Sequence, residues 1–285
     1  MATLRELRTR VSSIRNIQRV TNAMQMVAAA KMRRAQESIE AARPYAVHLD
    51  RVLSRLRSGS DSSQHPLLGA AAGERTLFVV VTADRGLCGA FNGSLCRKAQ
   101  AEWKSAEDPL GMVTIGRKGL SFFNNRGIEI LGNHADVMAG LEFNRAVQIG
   151  QDLMRRFSAG EVDRIITIFC EFRSISQLVP VATQLLPIPP QAAAEGEGHV
   201  EDYIFEPDPA ALLTELVPRH VNFQIWRSLL ESNACEQAAR MTAMDNATKN
   251  AGDIVDELTR AMNKERQASI TLELMDIIGG AEAVA

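Results

Sequence analysis

Any chemistry in this chain would sit first at Val81–Gly93, VTADRGLCGAFNG, where three glycines and the pair Asp84 and Arg85 follow a β-branched run. A glycine-rich turn leaving a strand is where an α/β sheet cradles a phosphate on main-chain N–H groups. The spacing fits neither G-x-G-x-x-G nor a Walker A loop, and no Lys-Ser or Lys-Thr pair follows. A structural turn or a protein contact is therefore favoured over a nucleotide site.

Other constellations fall short as well. A hydrolase needs a nucleophile beside a base, yet His48, His65, His134, His199 and His220 are scattered and sit in no recognisable motif. Cys88, Cys96, Cys170 and Cys235 show no C-x-x-C spacing and no histidines nearby, so they read as isolated reduced thiols. No catalytic, cofactor or metal residue is expected.

Charge is nearly balanced at −2, but residues 1–36 hold eight basic side chains against the single acid Glu6. Such a stretch suits an acidic partner or is merely a solvated face; without interleaved aromatics it does not suit single-stranded nucleic acid. No apolar run approaches the roughly 20 residues that span a bilayer, and the N-terminus lacks the apolar core of a secretory signal.

The elements that position these residues begin with a long helix. From Leu4 to about Arg57 there is no glycine and one proline, Pro44, in a composition rich in Ala, Met, Arg, Gln and Glu. Leu4, Leu7, Val11 and Ile14 alternate steps of three and four; the stripe is then expected to restart on a shifted face at Ile17, Val20, Met24 and Val27. Ser58–Pro66 with Gly69 and Gly73 reads as a linker.

Thr76–Asp84, Gly111–Gly116, Gly127–Asn133 and Asp163–Phe172 read as buried strands. Helices are expected at about Gly93–Lys104, Arg117–Asn125 and Phe143–Ser158, the alternation of an open parallel sheet. The run SQLVPVATQLLPIP adds an edge strand, because Pro180 and Pro187 exclude it from the centre, and Gln191–Asp202 reads as a loop.

After a short helix ending near Pro218, a second long helix is expected from about Arg219 to Ile278. Met241, Met244, Thr248, Ala251, Val255, Leu258 and Met262 form the narrow stripe of a coiled coil. Two such helices most simply bury each other, antiparallel. The expected fold is α/β: a long antiparallel coiled coil of the N- and C-terminal helices plus a central Rossmann-like open parallel-sheet domain. Its parts divide as 1–57, 58–74, 75–206 and 207–285.

Three segments carry a resemblance. Arg15–Gln36 (RNIQRVTNAMQMVAAAKMRRAQ), Thr82–Asn92 (TADRGLCGAFN), and Glu236–Ala251 (EQAARMTAMDNATKNA) followed by Asn263–Ile278 (NKERQASITLELMDII) resemble the gamma subunit of F-type ATP synthases, in the family's order and separations. The resemblance implies a non-catalytic central rotor shaft that couples proton-driven rotation to the catalytic sites of a ring of alpha and beta subunits. It implies as partners the alpha and beta subunits of F1, the epsilon subunit and the membrane rotor c-ring. It also implies one copy per complex, no nucleic acid, and a place on the cytoplasmic face of the bacterial inner membrane.

Residue by residue, Arg266 and Gln267 resemble the pair that hydrogen-bonds a catalytic-subunit loop near the upper shaft, with Thr271 and Glu273 nearby. Met24 matches the position facing that subunit's acidic lever loop, with Arg33 and Arg34 two to three turns on and Arg240 on the opposite strand of the shaft. Asp84 and Arg85, in the third matching segment, belong to the same set of partner contacts. The insertion of photosynthetic relatives, and the redox cysteine pair of the chloroplast form, do not appear, which argues against thiol control.

Two other classes compete: a coiled-coil scaffold or adaptor, and a nucleotide-binding α/β enzyme with helical arms. Polar breaks in the stripe count against self-zipping in the first. The second needs a ligand at the Thr82–Gly93 turn.

Overall fold

The structure is a computed structural model that describes residues 3–59, 65–69, 73–189 and 208–282. The expected loop Gln191–Asp202 and parts of the 58–74 linker lie outside the described residues. Two compact units form: one from residues 1–29 with 240–285, the other from 30–239.

The second unit is built on a five-stranded sheet. In chain order come α1 (Leu4–Gly59), β1 (Arg75–Val81), α2 (Phe91–Ser105), β2 (Asp108–Ile115), α3 (Arg117–Asn124) and β3 (Ile130–His134). A single 3-10 turn leads to α4 (Phe143–Ser158), β4 (Arg164–Phe172), β5 (Leu178–Leu186) and α5 (Pro209–Glu282).

Strand order is β3-β2-β1-β4-β5. β1 lies parallel to β2 and β4, β2 parallel to β3, and only β5 runs antiparallel to its neighbour. The sheet is thus mixed rather than wholly parallel. A short turn joins β4 to β5, too short for the crossover that parallel pairing requires.

Successive side chains point to opposite faces of a strand, and β1 shows it cleanly. Leu77, Val79 and Val81 join one apolar layer with Leu53 and Leu56 of α1, Ile149 and Leu153 of α4, and Val217, Val221 and Leu229 of α5. Phe78 and Val80 join the other, with Leu95 and Ala99 of α2 and Phe123 of α3. A sheet covered on both faces explains why its central strands read as continuous apolar runs.

The α5 helix also completes the sheet's hydrogen bonding. The β1–β4 pairing ends at Ile168, so Cys170 lies beyond that ladder. Its N–H donates to Ser232 Oγ at 3.2 Å and its carbonyl accepts the Cys235 thiol at 3.4 Å. α4 approaches α5 at Gly150, where a Cβ would meet Asn222 Oδ1 at 2.1 Å.

Pro218 proves not to be a helix boundary: α5 runs through it from Pro209. The true start is Asp208, whose Oδ1 accepts Ala210 N at 2.8 Å and Ala211 N at 2.9 Å. That is an N-cap with proline at the first helical position, where its missing N–H costs nothing.

In the first unit, residues of α1 and α5 pair antiparallel. Leu7, Val11 and Ala28 are buried on one helix and Met244, Ala251 and Val255 on the other. The expected slip of the stripe does not occur. Spacing of three and four continues through Gln18, Thr21 and Gln25 to Ala28, while Ile17, Val20 and Val27 stand 51%, 58% and 57% exposed. A strict seven-residue repeat keeps one seam facing its partner, so position overrode hydrophobicity.

Candidate interaction surfaces

The end of α5 carries the most unusual surface of the first unit. From Arg266 to Gly279 every residue is exposed. Gln267 and Thr271 are four residues apart and share a face; Arg266 and Glu273, seven apart, share the adjoining one. The Thr271 hydroxyl donates to the Gln267 carbonyl at 2.9 Å, and Ser269 Oγ reaches Glu273 Oε1 at 3.4 Å. These are local bonds that leave the polar ends of Arg266 and Gln267 turned to the surroundings.

Large apolar side chains alternate with these polar ones. Ile270, Leu272, Leu274, Met275, Ile277 and Ile278 are each at least 50% exposed. At 100° per residue they cover about 220° of the helix circumference, far more than a single packing stripe. Met24 and Arg240 in the same unit are half-buried.

In the second unit, Arg33 and Arg34 of α1 and Arg85 after β1 are exposed. The turn holding Arg85 is tied by its own side chains. Thr82 Oγ1 donates to the Ile115 carbonyl at 3.0 Å and accepts Gly119 N at 2.9 Å. Asn92 Oδ1 takes Ala83 N at 2.9 Å. Asp84 Oδ1 accepts the N–H groups of Arg117, in the first turn of α3, at 3.2 Å and of Asp136 at 2.9 Å. Arg117 in turn pairs with the Asp136 carboxylate.

The Arg117 N–H at the start of α3 is thereby bound to a carboxylate of the chain, while the turn itself leads on into α2. Gly116 permits the tight crossing beneath: its φ is +91°, and a Cβ there would meet Thr82 O at 2.2 Å. Leu87, 66% exposed with φ 62°, sits at the tip. The sequence reading passed over Leu87, and only the neighbouring glycines hinted at so tight a turn.

Nothing in the described residues forms a metal cluster of three or more His, Cys, Asp or Glu. All four cysteines are buried free thiols. Burial pushes the Cys96 thiol up to about 11. Cys235 is raised too, first by its hydrogen bond to Cys170 and then by burial. Neither is a nucleophile at neutral pH.

The polar seam residues Gln18, Thr21, Gln25 and Asp245 were missed by hydrophobicity, whereas Thr248 stood in the expected stripe of the second helix. The unbroken three-and-four spacing that contains the first three was the available signal.

Comparison with known proteins agrees in every direction. A family model described as ATP synthase matches residues 3–284. The chain is 44% identical over 284 residues to the ATP synthase gamma chain of Pelotomaculum thermopropionicum, covering 100% of both. It is 44% identical over 287 residues to that of Geobacter metallireducens, covering 100% of this chain and 99% of the relative. Among solved structures, a chain from the central stalk and c-ring of Tetrahymena thermophila mitochondrial ATP synthase matches 80% of this chain and 99% of its own length, at TM-score 0.63 and 25% identity. One from the OSCP/F1/c-ring assembly of Euglena gracilis mitochondrial ATP synthase shares the fold over 99% of this chain and 94% of its own, at TM-score 0.68 and 19% identity.

An α/β unit joined to a helix pair whose end exposes apolar side chains over most of its girth defines a subunit that other chains cover in a larger assembly. The family match makes the assignment specific. The chain belongs to the ATP synthase gamma-chain family.

Proposed function

We propose that the chain is the central rotor shaft of the F1 sector of an ATP synthase, turning inside a ring of alpha and beta subunits. The single observation that carries this is the end of α5. Six large apolar side chains spread over about 220° cannot be covered by one partner helix and call for a sleeve that encloses them. Arg266, Gln267, Thr271 and Glu273 then supply polar contacts to that sleeve, Arg266 through its forked guanidinium.

A shaft without threefold symmetry presents a different face to each of three catalytic subunits. Each subunit is thereby held in a different conformation, and rotation exchanges them. Met24 faces the acidic lever loop of the catalytic subunit, Arg33, Arg34 and Arg240 add partner contacts along the two helices, and Asp84 and Arg85 add contacts from the α/β unit. The epsilon subunit and the c-ring are the remaining partners. The site of action is the cytoplasmic face of the bacterial inner membrane, reached through the complex, since no helix among the described residues is long and apolar enough to cross a bilayer.

The test is reconstitution. The chain is mixed with purified alpha and beta subunits of a matching synthase, and ATPase activity is measured against the chain alone. Activity that appears only on assembly is expected; turnover by the chain alone, or failure to assemble, would overturn the reading.

A further inference from the structure

Between Ile14 and Ala28 of α1 the seam of the helix pair turns polar for three consecutive layers. Gln18 lies against Gly252, where a Cβ would stand 3.1 Å from its Nε2. Thr21 and Thr248 share a hydrogen bond of 2.7 Å between hydroxyls. Gln25 Nε2 donates to Asp245 Oδ1 at 3.0 Å, and Asp245 Oδ2 also accepts Lys249 Nζ at 2.7 Å.

Each step of three or four residues up α1 is matched by a step of four or three down α5, so the contacts describe one antiparallel register. Aliphatic residues in these layers would bury more apolar surface without desolvating polar groups. Their contribution is therefore specificity. A slip by one heptad would set Thr21 against Met241 or Val255, and Gln25 against Ala238 or Gly252. The Thr21 hydroxyl and the Gln25 amide would then stand half-buried against groups that offer them no side-chain partner.

We propose that Thr21, Gln25, Asp245 and Thr248 are positioning residues that pin α1 and α5 in a single register. The consequence rests on the rotor-shaft reading: if one helix slid against the other, the contact residues of α5 would be displaced along the shaft relative to Met24. A polar residue at a seam position is the established means of fixing register at a cost in stability. Here two adjacent layers act together.

The register is measured on the full-length chain alone, so the result does not depend on whether the chain assembles into a synthase. Nitroxide labels are placed at Ser12→Cys and Asn246→Cys, both exposed positions of this unit, while the four native thiols stay buried. A heptad slip changes the separation of these labels along the helix axis by about 10 Å. Pulsed electron resonance on the otherwise native chain should give one distance population.

The fourfold variant Thr21→Val, Gln25→Leu, Asp245→Leu, Thr248→Val should keep its helix content and show a second, displaced population. Restoring Gln25 and Asp245 should recover the single one. A fourfold variant that keeps only the native distance would overturn the proposal. Loss of helix content would overturn it too, because the polar layers would then be what holds the pair together.

Discussion

Arg75 at the head of β1 grips Asp163, just before β4, through both arms of its guanidinium and its own main-chain N–H. Nε meets Oδ2 at 2.9 Å, Nη2 meets Oδ1 at 2.9 Å, and Arg75 N meets Oδ2 at 3.1 Å. The Asp163 N–H returns a bond of 2.9 Å to the Arg75 carbonyl. The clamp sets two central parallel strands in register at their entrance.

A pH dependence follows from that pair. The Arg75 hydrogen bond holds the Asp163 carboxyl below the usual carboxylate range. A depressed pKa stabilises the fold fully above the unfolded value of about 4, and the contribution is lost as pH falls from there through the lower native value. Thermal midpoints of native chain and Asp163→Asn, measured from pH 7 down to pH 2, should differ most at neutral pH and converge in acid. A constant gap would refute the linkage.

Gly116→Ala should destabilise the α/β unit by roughly 3 kcal/mol, since it combines an unfavourable φ with a clash of Cβ on main chain. Urea unfolding would show it as a lowered midpoint at unchanged slope.

Met24→Lys should impair coupling. A cation at this half-buried position would pair with the acidic lever loop and slow its release. In the reconstituted, membrane-bound complex, proton pumping per ATP hydrolysed should fall while the isolated chain keeps its helix content. Unchanged coupling would count against the assigned position.

Arg266→Ala should weaken assembly with alpha and beta subunits about tenfold, equal to about 1.4 kcal/mol. Because Arg266 is exposed, the variant chain should melt with the native one. Titration of assembly by ATPase activity reads the first effect and circular dichroism the second.

Native chain at pH 8 should resist alkylation by iodoacetamide at all four cysteines and react at all four once unfolded. Burial keeps all four thiols out of reach and raises those of Cys96 and Cys235 besides. Rapid labelling of any one of them in native buffer would contradict its buried position.

Much of this protein was determined by its sequence alone. The glycine-free start of the chain, the β-branched runs separated by helical stretches and the three-and-four stripe around Val255 all act through local periodicity, which needs no tertiary context. The family motifs at both ends and at Thr82–Asn92 likewise lie in the chain as written. Only the tertiary structure decided what depends on partners distant in sequence. It made β5 antiparallel, carried α5 through Pro218, and kept the seam on Gln18, Thr21 and Gln25 while turning Ile17, Val20 and Val27 outward. It also gave the amides beside Asp84 to a carboxylate of the chain itself. A polar residue's place in a seam, or an amide's freedom to bind an anion, is set by what lies opposite, and that residue is 52 positions away for Asp84 and Asp136 and 227 for Thr21 and Thr248.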